Sequence, residues 1–422
     1  MLKIQPAQDE TSAGGPTIAL GLAGGGPVGG IYELGVLLAL DEALEGLDLN
    51  NLDIYVGVSS GSFVASMLIN QVSTEEMYGI FVRNDSIEHL FSPETFLQPA
   101  FMEYFSRAIS IPELFIHAFE QYVKHPDDLG LLESMSSLGR ALPTGFFNNE
   151  KINIFLEHVF NYPGRSNDFR ELAHKLLVVA VDLNTSESVI FGDDGYDHVP
   201  VSKAVQASSA LPGLYPPVAI DGHYYVDGAL RKTLHASAAL DAGANLVLCI
   251  NPLVPFDANF AVDEHGNPKP GVHNLVNGGL PVVLSQTFRT IIHSRMQVGM
   301  ANYKSQYPQA DIVLFEPNLD DAKMFFTNVF SFSNRHRVCE HAYQATRKEL
   351  YDHRHKLKPV LARHGFELRL DVLEDDTRCV STGLRGGMVR DLDLCALFQE
   401  SHGVLDELER WAKARAAHQK AV

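Results

Sequence analysis

The chain has 422 residues, of which 45% are hydrophobic and 20% charged, and its formal net charge is −19. This composition supplies a large core, enough for one big domain or two, while the acidity argues against nucleic acid and against electrostatic docking on anionic lipid. Residues 1–16 show no secretory signal, no apolar run reaches the roughly 18 residues of a spanning helix, and the scattered Cys249, Cys339, Cys379 and Cys395 show no metal-ligand spacing and fit a reducing compartment best.

Residues 1–15 read as a loose tail. Thr17–Ala23 is a short buried strand that runs into Gly24-Gly25-Gly26-Pro27-Val28-Gly29-Gly30. A helix follows from Ile31 to about Glu45, with Leu34, Leu37, Leu38 and Leu40 on a broad apolar side. A glycine loop that opens a helix gathers backbone N–H groups into a concave site suited to an anion. Gly24, Gly26 and Gly29 also satisfy the G-x-G-x-x-G spacing of a dinucleotide site, although Pro27 removes one N–H. An oxyanion hole and a plain close-packing turn are the other two uses of such a loop. Its spacing alone does not choose among the three.

The next apolar run, Asp53-Ile54-Tyr55-Val56, ends in Gly57-Val58-Ser59-Ser60-Gly61, and a helix-compatible segment, Phe63–Asn70, follows. A dinucleotide site would carry an acidic residue at that strand end. A serine at a tight strand-to-helix turn has its hydroxyl pushed out of the sheet, and flanking glycines make room for the strained backbone. The helix start favours negative charge beside that hydroxyl. Ser59 is therefore a candidate nucleophile, with an ordinary small-residue turn as the alternative.

Residues 74–170 are apolar-rich and mostly helical in period. Their aromatics, Phe91, Phe96, Phe101, Phe105 and Phe115 among them, suit either a helical layer or a cap over an acyl pocket. Lys175–Asp182 is a buried strand, Ser188–Phe191 an edge strand, and Val201–Ser209 a helix ended by Leu211-Pro212-Gly213. Asp221-Gly222 between two β-rich runs is a hairpin turn. Asp227 stands at the exit of the returning strand, before Gly228, where a carboxylate can project into a site. His198, His223 and His235 lie nearby in sequence, but none sits in the late loop expected of a triad histidine. Further on come a helix at Leu234–Ala242, a buried strand at Asn245–Asn251, a loop-rich stretch over 254–280, a long helix at about Leu284–Asn302 and a last strand at Asp311–Phe315. The rest is helical, and Val404–Ala417 forms an amphipathic segment around Trp411.

With these elements in order, the sequence resembles the patatin-like phospholipases, which are serine acyl hydrolases. Four segments carry the resemblance: Gly24–Gly29, Gly57–Gly61, Ala207-Ser208-Ser209-Ala210-Leu211-Pro212-Gly213 and Asp227-Gly228-Ala229. The resemblance implies a three-layer α/β/α fold with a mostly parallel central sheet. It implies a hydrolase domain over 16–320, with a helical insertion at about 74–170, and a helical C-terminal region over 321–422 packed on it. It implies a Ser-Asp dyad with Ser59 as nucleophile and Asp227 as base, and an oxyanion hole from Gly24, Gly25, Gly26, Val28 and Gly29. The expected substrate is a lipid or other acyl ester, with no cofactor and no metal. The expected setting is cytoplasmic, with transient contact at a membrane surface. Two departures stand out. Val28 replaces the Arg or Lys usual in the family loop, and Arg231-Lys232-Thr233-Leu234-His235 replaces an Asn-x-Pro element after Asp227. A dinucleotide-binding oxidoreductase and a non-catalytic lipid-binding protein on the same fold are the rival expectations.

Overall fold

The structure is a computed structural model that describes residues 1–8, 15–83, 144–231, 234–257, 275–321, 324–325 and 332–383. Most of the 74–170 insertion, with its aromatics, and the Val404–Ala417 segment lie outside the described residues.

The described strands are β1 (Leu2–Gln5), β2 (Ile18–Leu22), β3 (Leu44–Glu45), β4 (Ile54–Val58), β5 (Lys175–Asp182), β6 (Ser188–Phe191), β7 (Val218–Ile220), β8 (His223–Asp227), β9 (Leu246–Ile250), β10 (Asp311–Phe315) and β11 (Glu367–Leu368). Nine of them form one sheet in the order β1-β10-β9-β2-β4-β5-β8-β7, with β6 also on β5. The run from β10 to β5 is parallel, and β1, β6, β7 and β8 are antiparallel additions. This is the mostly parallel sheet the sequence implies.

Side-chain alternation explains the layers. In β2, Ile18, Leu20 and Leu22 enter one apolar cluster while Ala19 enters another. β4, β5, β9 and β10 alternate in the same way, with Tyr55, Val178, Leu248 and Val313 on the first side and Val56, Val179, Val247 and Ile312 on the second. Both faces of a parallel sheet must be covered. Helix α1 (Gly26–Ala43), helix α2 (Ser60–Ile69) and the helix Phe332–Asp352 belong to the first layer; helices Ala236–Asp241 and Gly279–Gln306 belong to the second. Among the described residues no helix is long and apolar enough to cross a membrane.

Three expectations need correction. Residues 2–5, assigned to a loose tail, form strand β1 with Leu2 opposite Phe315. Leu2 is buried, Ile4 packs against the same core, the Leu2 N–H donates to Glu349 Oε2 at 2.9 Å, and the open edge of β10 pairs the strand. The first helix begins at Gly26 rather than Ile31, inside the glycine loop, with Pro27 in its first turn where a missing N–H costs nothing. Finally, Cys249 and Cys339 are free and buried, whereas Cys379 is disulfide-bonded, which the reducing setting inferred from the cysteine pattern did not lead one to expect.

Candidate active site

The position of Ser59 relative to Asp227 follows from strand register. β4 pairs with Lys175–Val179 of β5, ending with Val58 opposite Val179. β6 pairs with Val178–Val181 and must therefore take the opposite edge. β8 pairs with Ala180–Asp182, so it occupies the β4 edge just beyond the end of β4, with Asp227 opposite Ala180. A parallel and an antiparallel strand thus approach head-on along one edge of β5. Ser59 and Asp227, 168 positions apart in the chain, are the next residue and the last residue of these two strands.

Ser59 has φ 52° and ψ −124°, a conformation that L-residues avoid. Such strain costs about 1–3 kcal/mol and persists only where the surroundings enforce it. Here the Ser59 carbonyl accepts from Ser62 N at 3.0 Å and from the Ser62 hydroxyl at 2.6 Å, while its own N–H donates to Ser208 Oγ at 2.8 Å. Ser208 in turn donates to Val179 O at 2.6 Å, which ties the turn to β5. The elbow glycines are sterically required. A Cβ on Gly57 would lie 2.3 Å from Ser62 Cα, and one on Gly61 would lie 2.4 Å from Leu22 O.

Asp227 is 3% exposed. Its N–H donates to Ala210 O at 3.0 Å, and its Oδ1 accepts from Ala229 N at 2.9 Å. Burial pushes the carboxyl up from 3.8 to about 6, against the opposing pull of the Ala229 amide and of the Ser59 hydroxyl, which faces it as a hydrogen-bond donor. The departure from the family pattern after Asp227 has a local explanation. Gly228–Leu230 is a tight turn capped by the Asp227 side chain, and Arg231 anchors its far end by pairing with Glu187 and the Ser186 carbonyl. Lys232 and Thr233 lie outside the described residues.

The glycine loop packs directly on this pair: a Cβ on Gly24 would lie 3.0 Å from Ser59 Cβ and 3.3 Å from Ala229 Cβ. Gly24, Gly25 and Gly26 line the same cavity as Ser59 and Asp227; Val28 and Gly29 do not. Because α1 begins at Gly26, the Gly29 N–H is already spent on Gly25 O at 3.0 Å, and the Val28 side chain packs on the core. The amides of Gly25 and Gly26 precede that first helical bond and have no partner in the helix ladder.

The cavity measures about 690 Å³ and its walls are mainly apolar, including Leu34, Phe63, Met77, Phe81, Tyr215 and Phe288. It opens at the carboxyl ends of β2 and β4, where α/β sheets place their ligands. Among the described residues no histidine lines it. His223 sits 2.8 Å from Asp182, His198 sits 2.8 Å from Asp221 at the surface, and His235 is buried elsewhere. Ser208 and Arg289 were given no role on the sequence. The motif Ala207-Ser208-Ser209 was visible, but only the fold shows that its serine holds the Ser59 amide.

Among solved structures, the chain is similar to VipD from Legionella pneumophila (14% identity, 91% of this chain and 86% of that one, TM-score 0.31). It is also similar to human GIVD cytosolic phospholipase A2 in complex with methyl γ-linolenyl fluorophosphonate (13% identity, 83% and 60%, TM-score 0.33). A third similarity is to full-length ExoU of Pseudomonas aeruginosa with SpcU (16% identity, 94% and 83%, TM-score 0.27). An uncharacterized protein of Acanthamoeba polyphaga mimivirus is 24% identical over 203 residues, which is 47% of this chain; the match spans only 55% of the viral protein. The family model for patatin-like phospholipases matches residues 20–240, a range that contains the glycine loop, the Ser59 elbow and Asp227. The chain belongs to the patatin-like phospholipase family.

Proposed function

We propose that this chain is a lipid acyl hydrolase that cleaves carboxylic esters through an acyl-Ser59 intermediate, with Asp227 as the base. The observation that carries the reading is the head-on meeting of β4 and β8 along β5, which sets the Ser59 hydroxyl against the Asp227 carboxyl inside an apolar cavity.

A carboxylate at its ordinary pKa is a weak base for a hydroxyl. One raised to about 6 is a better match and is still ionised at neutral pH. Ser59 Oγ attacks the ester carbonyl carbon while its proton passes to Asp227. The negative charge that forms on the carbonyl oxygen falls to the amides of Gly24, Gly25 and Gly26, at the positive end of α1. The intermediate then collapses: the ester C–O bond breaks, and the leaving alkoxide takes the proton from Asp227. Water, deprotonated by the same carboxylate, releases the acyl group and restores Ser59. The apolar walls suit an acyl chain, and Pro27, which supplies no N–H, follows the three glycines on the same wall without interrupting them. Packing of Gly24 against Ser59 favours this use of the loop over dinucleotide binding.

A fluorophosphonate probe tests the reading. It is expected to label the wild-type chain at Ser59 and to leave Ser59→Ala unlabelled; failure to label the folded wild-type protein favours a non-catalytic lipid-binding role.

A further inference from the structure

Apart from Asp227, the charged side chains that line the cavity among the described residues are two arginines, Arg335 and Arg289. Arg335 is fully buried in the first helical layer and donates to Phe81 O at 2.7 Å. Arg289 differs. It lies in the helix Gly279–Gln306, outside the segment matched by the family model, and reaches the cavity from the second layer with Leu284, Ser285, Phe288 and Ile292.

The guanidinium of Arg289 is held in place without being neutralised. Its Nη1 donates to Val254 O at 3.1 Å, and its plane carbon lies 5.1 Å from the Phe325 ring centre. Gln286, one turn earlier, bonds both the N–H and the carbonyl of Phe256, which fixes this part of the helix to the 251–257 segment. The Nε of Arg289 is buried with no partner, and among the described residues no carboxylate pairs with it. Burial alone pulls its pKa down, to about 10, so it is still a cation at neutral pH. Arg289 is half-buried with its Nε shut off from solvent, so the part of its guanidinium that faces the cavity is placed to take a counter-charge entering there. The first glycine loop provides no cation of its own, because position 28 is valine.

We propose that Arg289 is a specificity-determining residue that binds an oxyanionic group of the lipid, phosphate or carboxylate, while the acyl ester lies over Ser59. The proposal rests on the lipid hydrolase reading of the same cavity. The guanidinium fork suits two oxygens of either group. Around it the helix exposes Leu284, Phe288 and Ile291, an apolar rim that a lipid's chains can pass on the way in.

Binding to the Ser59→Ala protein tests this without turnover, so a failure of hydrolysis and a failure of anion recognition are distinguishable. Three probes are titrated below their micelle concentrations: 1-palmitoyl-lysophosphatidylglycerol, 1-monopalmitoylglycerol and palmitate. With Arg289 present, an anionic probe is expected to bind about ten- to a hundredfold more tightly than the neutral glyceride, the range of one buried charge-assisted contact. Arg289→Gln is expected to abolish that preference and Arg289→Lys to keep part of it, with thermal unfolding confirming that both fold. A preference for the lysophospholipid assigns the anion to a head-group phosphate, and one for palmitate to a carboxylate. Equal binding of all three probes, or an anion preference that survives in Arg289→Gln, overturns the proposal.

Discussion

The raised pKa of Asp227 links activity to stability through one proton. If its carboxylate is the base, kcat/KM for a neutral chromogenic ester rises with pH through a midpoint near 6 and levels off from about pH 7. At pH 5 the active fraction is then about 9% of the plateau, whereas a carboxyl at its ordinary value would give about 94%. The same proton bears on folding. Because the folded-state pKa lies above the unfolded value of 3.8, the native state holds the proton more tightly. The stability this adds is complete below 3.8 and is lost as pH rises through about 6. The loss amounts to about 3 kcal/mol, and above pH 7 all of it has been incurred. Asp227→Asn keeps the shape and an acceptor for Ala229 N but removes the ionisation. We predict that the variant loses ester hydrolysis and, above pH 7, is up to about 3 kcal/mol more stable than the wild type. Glu33, whose pKa is also raised by burial, contributes a slope of its own in both proteins, so the difference between the two denaturation series at each pH isolates Asp227. An activity midpoint near 4, or Asp227→Asn less stable than wild type at every pH, refutes the reasoning.

Other substitutions probe the supports of the site. Ser208→Ala leaves the buried Ser59 N–H without its acceptor, so chemical denaturation should show a loss of about 1–3 kcal/mol and kcat should fall with it; an unchanged kcat would mean that the Ser59 turn holds its shape alone. Gly57→Ala places a methyl 2.3 Å from Ser62 Cα, backbone that cannot swing aside, and the expected result is a loss of about 3 kcal/mol or failure to fold. Glu33 is fully buried in α1 with neither carboxyl oxygen hydrogen-bonded among the described residues. Glu33→Met should therefore raise stability at neutral pH by about 1–3 kcal/mol, read from the denaturation midpoint, and a drop would point to a partner for that carboxyl.

Much of the architecture is legible in the chain because it is local. Lys175–Asp182, Ser188–Phe191 and Asp311–Phe315 were read with the bounds they have, since an apolar run flanked by turn residues leaves few alternatives. The Asp221-Gly222 hairpin is equally local: both residues take positive φ, at 50° and 83°, as a two-residue turn requires. The elbow at Ser59 was visible because glycines are spaced around it where a side chain would collide with backbone.

Other features are not written in any one segment. Strand β1 exists because β10 offers it an open edge more than 300 positions away, and the alternation of Leu2-Lys3-Ile4-Gln5 is too short to announce that by itself. The start of α1 inside the glycine loop was hidden by glycine's low helix propensity; packing on α2 and on the helix Phe332–Asp352 overrides it. The approach of Asp227 to Ser59 is a matter of register on β5, and the cation of Arg289 enters the cavity from the other side of the sheet. Sequence by itself determined most of the elements, the elbow and the candidate carboxylate, because short-range sterics and hydrophobic period decide those. Only the tertiary structure decided which N–H groups remain free and which charges share a cavity, because desolvation and hydrogen-bond pairing depend on neighbours that the chain brings together only when it folds.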